Sequence, residues 1–167
     1  MEVSRLSKRY KVRQLNLSDI NEVYDLCSQN TLYYEYCPLF VTLDAVKEDM
    51  EMLPPGKAQG DKYFLGYYEG EVLVAIMDLI RQYPDDKTLY IGLFMTNVQL
   101  QGNGVGTEII RELSDFAKMN DYERLELAWV KGNPQAEHFW KKNGFVPIGE
   151  RSSNAAEYVI AAEKRMI

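Results

Sequence analysis

Gln101-Gly102-Asn103-Gly104-Val105-Gly106-Thr107 is the stretch on which the fold turns. Before it, Thr88 to Val98 is rich in β-branched and aromatic residues and reads as a strand. After it, Thr107 to Met119 places Ile109, Ile110, Leu113, Phe116 and Ala117 on one face, with Glu108, Arg111, Glu112, Asp115 and Lys118 elsewhere, the pattern of an amphipathic helix. Glycines between a strand and a helix let backbone N–H groups turn toward a bound group without Cβ obstruction. The helix behind them adds unpaired N–H groups and about half an elementary charge at its N-terminus. The segment is therefore either an anion cradle suited to a phosphate or pyrophosphate, or a glycine-rich turn without a ligand.

Two well-known phosphate loops fit poorly. A Walker A loop needs Lys-Ser/Thr after its last glycine, and Gly106-Thr107-Glu108 offers no lysine. A dinucleotide fingerprint needs GxGxxG in a parallel βαβ unit, whereas here GxGxG follows what reads as an antiparallel meander. Upstream, Tyr63 to Tyr68 and Val72 to Ile80 form a hairpin about Glu69-Gly70-Glu71, and Tyr83-Pro84-Asp85-Asp86-Lys87 turns into the next strand. Farther upstream, Tyr10 to Leu15 reads as a strand. Leu17-Ser18-Asp19 supplies a cap for a helix over Ile20 to Ser28. A second helix starts near Thr42, with Val46, Met50 and Leu53 on one face and Pro54-Pro55-Gly56 as its stop. Between these helices Thr31 to Pro38 is an aromatic loop without helical or strand periodicity.

Downstream, Leu125 to Val130 is a strand and Pro134 to Lys142 a helix with Pro in its first turn and Asn143-Gly144 as its stop. Phe145 to Gly149 and Tyr158 to Ala162 close the sheet. The order β-α-α-β-β-β-α-β-α-β-β predicts an α+β fold, a mixed, mainly antiparallel twisted sheet flanked by helices. With 167 residues, 46% of them hydrophobic, one domain over residues 1–167 is expected, without repeat, linker or low-complexity segment.

A second motif narrows the choice. Asn133-Pro134-Gln135-Ala136-Glu137-His138-Phe139-Trp140-Lys141-Lys142-Asn143-Gly144-Phe145 is similar to N-x-x-A-x-x-F-Y-x-x-x-G-F, and Gln101, Gly104 and Gly106 match Q/R-x-x-G-x-G/A. Both segments, in this order, resemble the GCN5-related N-acetyltransferase (GNAT) family. The resemblance covers essentially the whole chain and implies an acetyl-CoA-dependent enzyme with the acyl-CoA N-acyltransferase fold. It implies that the strand before the glycine loop parts from its neighbour and that the pantetheine arm of the cofactor pairs there with the backbone of Phe94, Met95 and Thr96. The pyrophosphate would sit on the amides of Gly102, Asn103, Gly104, Val105, Gly106 and Thr107, with Gln101 opening the loop. Asn133 would hydrogen-bond the arm and Phe139 would pack beside it. Phe94, Met95 and Phe139 are equally the kind of apolar residues that build a core.

Acyl transfer to an amine requires both reactants to be held together, the ammonium to lose a proton and the developing oxyanion to be stabilised. The family commonly protonates the departing thiolate with a tyrosine four residues before the glycine of GF, and here that position is Trp140. Indole N–H donates a hydrogen bond but is no usable acid. Another hydroxyl takes its place, or the thiolate, with a pKa of about 8.5, leaves unaided, or the domain binds acyl-CoA without turning it over. Glu126 and Asp78, each on a strand near apolar neighbours, are the candidate bases, unless they are solvated or paired with Arg124 or Arg81. Tyr83 and Tyr90 are weaker candidates, for ordering water, and His138 reads as solvent-facing.

The composition closes off other classes. With 19 basic and 25 acidic residues the formal charge is −6, and broad electrostatic attachment to nucleic acid or an anionic membrane is disfavoured. The longest apolar run, Val72 to Met77, is too short to span a bilayer. No signal peptide is readable at Met1 to Tyr10, so a cytoplasmic location is expected. Cys27 and Cys37 form no metal-ligand cluster and one histidine cannot build a His-rich site, so no metal is expected. The expected partners are an acyl-CoA and an amine acceptor, with homodimerisation left open. Members of the family commonly build the acceptor pocket between the first two helices. There Tyr34 and Glu35 offer ring faces beside a carboxylate, which suits a cation. A small primary amine is the expected acceptor, a protein or peptide amine the alternative.

Overall fold

Gly70, with φ +60°, turns the chain between two strands whose end residues Glu69 and Val72 are already paired, and the sheet grows outward from this hairpin. The computed structural model describes residues 1–37, 39–153 and 158–167. In chain order the elements are β1 (Lys11–Gln14), α1 (Ile20–Gln29), α2 (Thr31–Tyr36), α3 (Leu43–Glu51), β2 (Lys62–Glu69), β3 (Val72–Arg81) and β4 (Thr88–Thr96). They are followed by α4 (Val105–Met119), β5 (Arg124–Val130), α5 (Pro134–Lys142), β6 (Val146–Ser152) and β7 (Tyr158–Arg165). The strands form one seven-stranded sheet in the order β1-β2-β3-β4-β5-β7-β6. Every neighbouring pair is antiparallel except β4 and β5, which run parallel. A mixed, mainly antiparallel sheet flanked by helices is thus what the order of elements anticipates.

The helices divide between the two faces. On one, Ile109, Ile110, Leu113, Phe116 and Ala117 of α4 pack with Leu79, Leu89, Ile91, Leu125 and Leu127 of the sheet. On the other, Val23, Leu26 and Cys27 of α1 and Val46 and Met50 of α3 pack with Phe64, Tyr68, Ile76 and Met95. The apolar stripe read from Thr107 to Met119 is the buried face of α4, because only a 3.6-residue period keeps these five positions on one side.

Local signals set the ends. Thr42 caps α3, its Oγ1 accepting from the Ala45 N–H at 3.1 Å. Asn133 caps α5, with Pro134 in the first turn and Gly144, at φ +89°, just past the end. The entry to α1 is different from the expectation. Asp19 precedes α1 without a side-chain cap bond, and Asn16 caps the 3-10 turn Leu17–Asp19 ahead of it: its side chain accepts from Ser18 N–H while the Asp19 carboxylate accepts from Asn16 N–H.

A second difference is larger. Residues 31–36, expected as a loop, form the short helix α2; Pro38, the last residue of that expected loop, lies outside the described residues. Tertiary contact holds this helix. The Tyr34 ring packs edge-on against Tyr33, centroids 5.0 Å apart, and leans on Phe40 at 5.3 Å. Burial and the neighbouring thiols of Cys37 and Cys27 raise the hydroxyls of Tyr33 and Tyr34.

Leu113 is fully buried between α4 and the sheet. Replacing it by Ala removes apolar contact and leaves a cavity, so Leu113→Ala is expected to lower unfolding free energy by about 2–5 kcal/mol. Urea denaturation followed by circular dichroism measures this; a loss under about 1 kcal/mol would show that α4 is not anchored as described.

Candidate functional site

Strands β4 and β5 pair only from Thr88 with Arg124 to Ile91 with Leu127. Beyond that, β4 continues to Thr96 along β3 and β5 continues to Val130 along β7. The sheet therefore opens into a gap. The cause is a bulge at Gly92: Leu79 faces Ile91 and Asp78 faces Leu93, leaving Gly92 extra. One additional residue bends a strand and inverts its alternation. Ile91 accordingly packs on the α4 side, whereas Leu93 and Met95 pack on the α1 and α3 side.

The inverted alternation decides which backbone groups line the gap. Asn97 N–H donates to Val74 C=O at 2.8 Å, so Asn97 and Met95 point their polar groups toward β3, and Phe94 and Thr96 point theirs into the gap. Of the three strand residues singled out in the sequence, Phe94 and Thr96 offer a backbone edge to a ligand and Met95 is core, 5% exposed.

At the mouth of the gap lies the glycine loop. Gly102 and Gly104 both have φ +81° and open space where a Cβ would project, and Gly104 is the N-cap of α4. Gly106 is tight instead, because a Cβ there would stand 3.0 Å from the Phe139 ring. Phe139 stacks on Phe94 with centroids 6.0 Å apart, and Trp140 lies 5.9 Å from Phe94, 4.9 Å from Phe139 and 5.1 Å from Phe145. Trp140 is thus part of an aromatic wall. Asn133 is buried, with Oδ1 accepting from Ala136 N–H at 3.1 Å. The Gly106–Phe139 and Phe139–Phe94 contacts bring the loop, the aromatic wall and the open edge together, with a helix N-terminus suited to phosphate oxygens at the loop.

The candidate bases lie on the opposite face. Asp78 sits between Ile76 and Ile80 on β3, its Oδ2 accepting from Lys62 Nζ at 2.7 Å. A Cβ on Gly92 would stand 2.6 Å from that same oxygen, so the carboxylate rests directly on the bulge. Oδ1 is buried and has no hydrogen-bond partner among the described residues. Burial pushes the Asp78 carboxyl up to about 6; the Lys62 charge and hydrogen bond oppose the rise and Asp49 adds to it. Glu126 on β5 is 3% exposed, with Oε1 3.3 Å from Arg151 and Oε2 3.9 Å from Arg124. Both of its oxygens already face guanidinium groups, including one of the arginines anticipated for it. Tyr90 lies in the next strand, edge-on to Tyr83 at 5.3 Å. Burial raises its hydroxyl, and Glu126 and Asp78 both add to the rise. Glu35 is exposed and Tyr34 half-buried, its ring against Tyr33 and Phe40. His138 is exposed, as expected.

The model of the acetyltransferase (GNAT) family matches residues 23–145. The chain belongs to that family. A curated GNAT relative, the uncharacterised N-acetyltransferase YobR of Bacillus subtilis (strain 168), is 32% identical over 106 residues, which is 62% of this chain and 39% of that protein. The chain thus spans well under half the length of that relative. Among solved structures, an acetyltransferase from Thermus thermophilus superposes with a TM-score of 0.75 at 16% identity, covering 93% of this chain and 96% of that one. Spermidine N-acetyltransferase from Vibrio cholerae, solved with CoA and spermine, superposes with a TM-score of 0.68 at 14% identity, covering 96% of this chain and 97% of that one. At such identities the superpositions show the fold alone. Among the described residues no helix is long and apolar enough to cross a membrane, and no group of three or more His, Cys, Asp or Glu is placed to hold a metal ion.

The GNAT motifs do not reveal Asn30, a residue sequence reasoning missed. It is buried at the α1–α2 junction, where its Nδ2 donates to Leu26 C=O at 3.0 Å and to Thr96 C=O at 3.1 Å. Its Oδ1 accepts from Gln101 Nε2 at 2.7 Å. One carboxamide therefore joins α1, the open edge of β4 and the first residue of the glycine loop, and it claims the Thr96 carbonyl. The only sequence signal was a polar residue ending an amphipathic helix. Asn30→Ala is expected to destabilise the fold by about 1–3 kcal/mol by leaving buried polar groups unpaired. An unchanged urea midpoint would show that these bonds are not made in solution.

Proposed function

We propose that the chain, acting as one domain over residues 1–167, is an acetyl-CoA-dependent N-acetyltransferase whose acceptor is a small, positively charged primary amine. The observation that carries this is the gap between β4 and β5, with a glycine cradle at one end and the Asp78 carboxylate seated on the bulge that opens it. The residues fit the cofactor. Gly102 and Gly104 leave free the space that a Cβ would fill beside phosphate oxygens. The polar groups of Phe94 and Thr96, apart from the Thr96 carbonyl, can pair with an amide-bearing arm, and Phe139 and Trp140 wall its apolar part.

Bound acetyl-CoA supplies an activated acyl group to which an amine can add. The chain's residues hold the amine and remove its proton. Asp78 is favoured over Glu126 because its Oδ1 is free to accept an ammonium proton, whereas both Glu126 oxygens face arginines. A carboxyl with its pKa near 6 is mostly ionised at neutral pH and still basic enough to take a proton. No side-chain acid is assigned at Trp140, since indole cannot donate a proton to the thiolate. Asp78, Asp49 and an overall charge of −6 favour a cationic acceptor, and the Vibrio cholerae spermidine N-acetyltransferase was solved with the polyamine spermine beside CoA.

Titration calorimetry is expected to show acetyl-CoA binding without added metal. Gly106→Glu, which pushes a side chain into Phe139, should weaken it at least about tenfold, about 1.4 kcal/mol. No binding at millimolar ligand, or equal binding by the folded variant, would sink the cofactor assignment.

A thiol-release screen over polyamines, aminoglycosides, amino acids and lysine peptides tests the acceptor. Cationic small amines are expected to turn over, and the kcat/KM of the best one should fall about tenfold per pH unit below about 6. Asp78→Asn should lower it by a factor of about 100 or more. Turnover of anionic or neutral acceptors alone would overturn the acceptor class. A fully active Asp78→Asn would remove Asp78 as the base, and cofactor binding without thiol release by any amine would favour an acyl-CoA-binding module.

A further inference from the structure

Lys62 is 3% exposed, an unusual position for a lysine. Among the described residues its only ion-pair partner is Asp78, and its ammonium stands 5.8 Å from the Phe64 ring centroid. Phe64 is directly opposite Asp78 in the β2–β3 register, so cation, ring and carboxylate share one face of the sheet. On its other side Lys62 lines a cavity of about 180 Å³ together with Leu15, Met50, Gln59 and Phe64. Nothing in the family motifs involves this residue.

We propose that Lys62 is a positioning residue of the acceptor site: it holds Asp78 Oδ2 against Gly92 and thereby leaves Oδ1 as the one oxygen presented to the amine. Oδ2 is fixed between the Lys62 ammonium at 2.7 Å and the bare Cα of Gly92, where any side chain would collide with it. Oδ1 is buried and unpartnered among the described residues. A buried acceptor atom without a donor is costly unless a ligand supplies one, and an ammonium group is a donor of the right charge. Lys62 has a second effect by the same contact. The charged groups that face Asp78 are Lys62 from β2 and Asp49 from α3, with the Tyr90 hydroxyl on β4. Lys62 is the sole cation among them, so it keeps the carboxylate ionised in a setting that otherwise favours its protonated form.

This role rests on Asp78 acting as the base, but the contact itself can be tested on the free protein. Carboxyl ¹³C NMR, with the Asp78 signal assigned by its loss in Asp78→Asn, gives the titration of that one group. Wild-type protein is expected to titrate near 6, Lys62→Met at least about one unit higher, and Lys62→Arg within about half a unit of wild type. If Lys62→Met does not fold, Lys62→Gln takes its place; it too removes the cation and should move the titration up. A titration unchanged in the folded Lys62→Met variant, or in Lys62→Gln where that stands in, would overturn the proposal while leaving Asp78 as the base. Full activity of Asp78→Asn with spermine would instead remove the base while leaving the Lys62 contact measurable. For a positioning role, Lys62→Met should also move the acidic limb of kcat/KM for spermine by the same interval. A fall in rate without movement of that limb would mark Lys62 as merely structural.

Discussion

One extra residue in β4 governs the active face of this molecule. Because Gly92 has no counterpart in β3, the strand bends there, its alternation inverts, and its parallel partner β5 no longer follows. Unpaired backbone groups in the interior of a sheet would ordinarily be a defect, since each buried N–H and C=O needs a partner. Here they form a slot with the chemistry of a missing strand, and the polar groups of Phe94 and Thr96 face into it. The same glycine leaves room on the other face for the Asp78 carboxylate. A single irregularity thus shapes both the edge proposed for the cofactor and the setting of the carboxylate proposed as the base, on the two sides of one strand.

The two halves of that arrangement differ in how they are stabilised. The cofactor side depends on geometry: two glycines in the left-handed region, a helix N-terminus, and three rings from Phe94, Phe139 and Trp140 packed edge and face. The acceptor side depends on electrostatics in a poorly solvated setting. Asp78 has a cation on one oxygen and none on the other, while Glu126 is flanked by Arg124 and Arg151. Two carboxylates that look equivalent in the sequence therefore differ in availability, because their neighbours come from different strands.

Much of the fold is legible in the sequence wherever a local signal decides it. The glycine cluster before the α4 stripe, Pro134 and Gly144 around α5, and Gly70 in the hairpin are each short-range requirements of backbone conformation or period. The helix α2 is not legible because its tyrosines are placed by contacts to Cys27, Cys37 and Phe40 and not by a repeating pattern. The bulge leaves one faint trace, an isolated glycine in an otherwise apolar strand, which marks an irregularity without saying what it admits. In the candidate site, the residues proposed for the cofactor were picked out by motif spacing, whereas the Lys62–Asp78 pair depends on hairpin register and Asn30 on a contact across 71 residues. Long-range polar pairing has no periodic signature.

Asn30 also bears on how this protein could be redesigned. The α1–α2 region is the natural place to vary when altering acceptor preference, because it borders the face that carries Asp78. Yet the carboxamide at that junction is what occupies the Thr96 carbonyl and steadies Gln101 at the start of the glycine loop. A combinatorial library that randomises the junction would loosen the edge proposed for the cofactor along with the wall proposed for the acceptor, so selected variants would confound two phenotypes. Holding Asn30 constant makes the two surfaces separable modules for directed evolution.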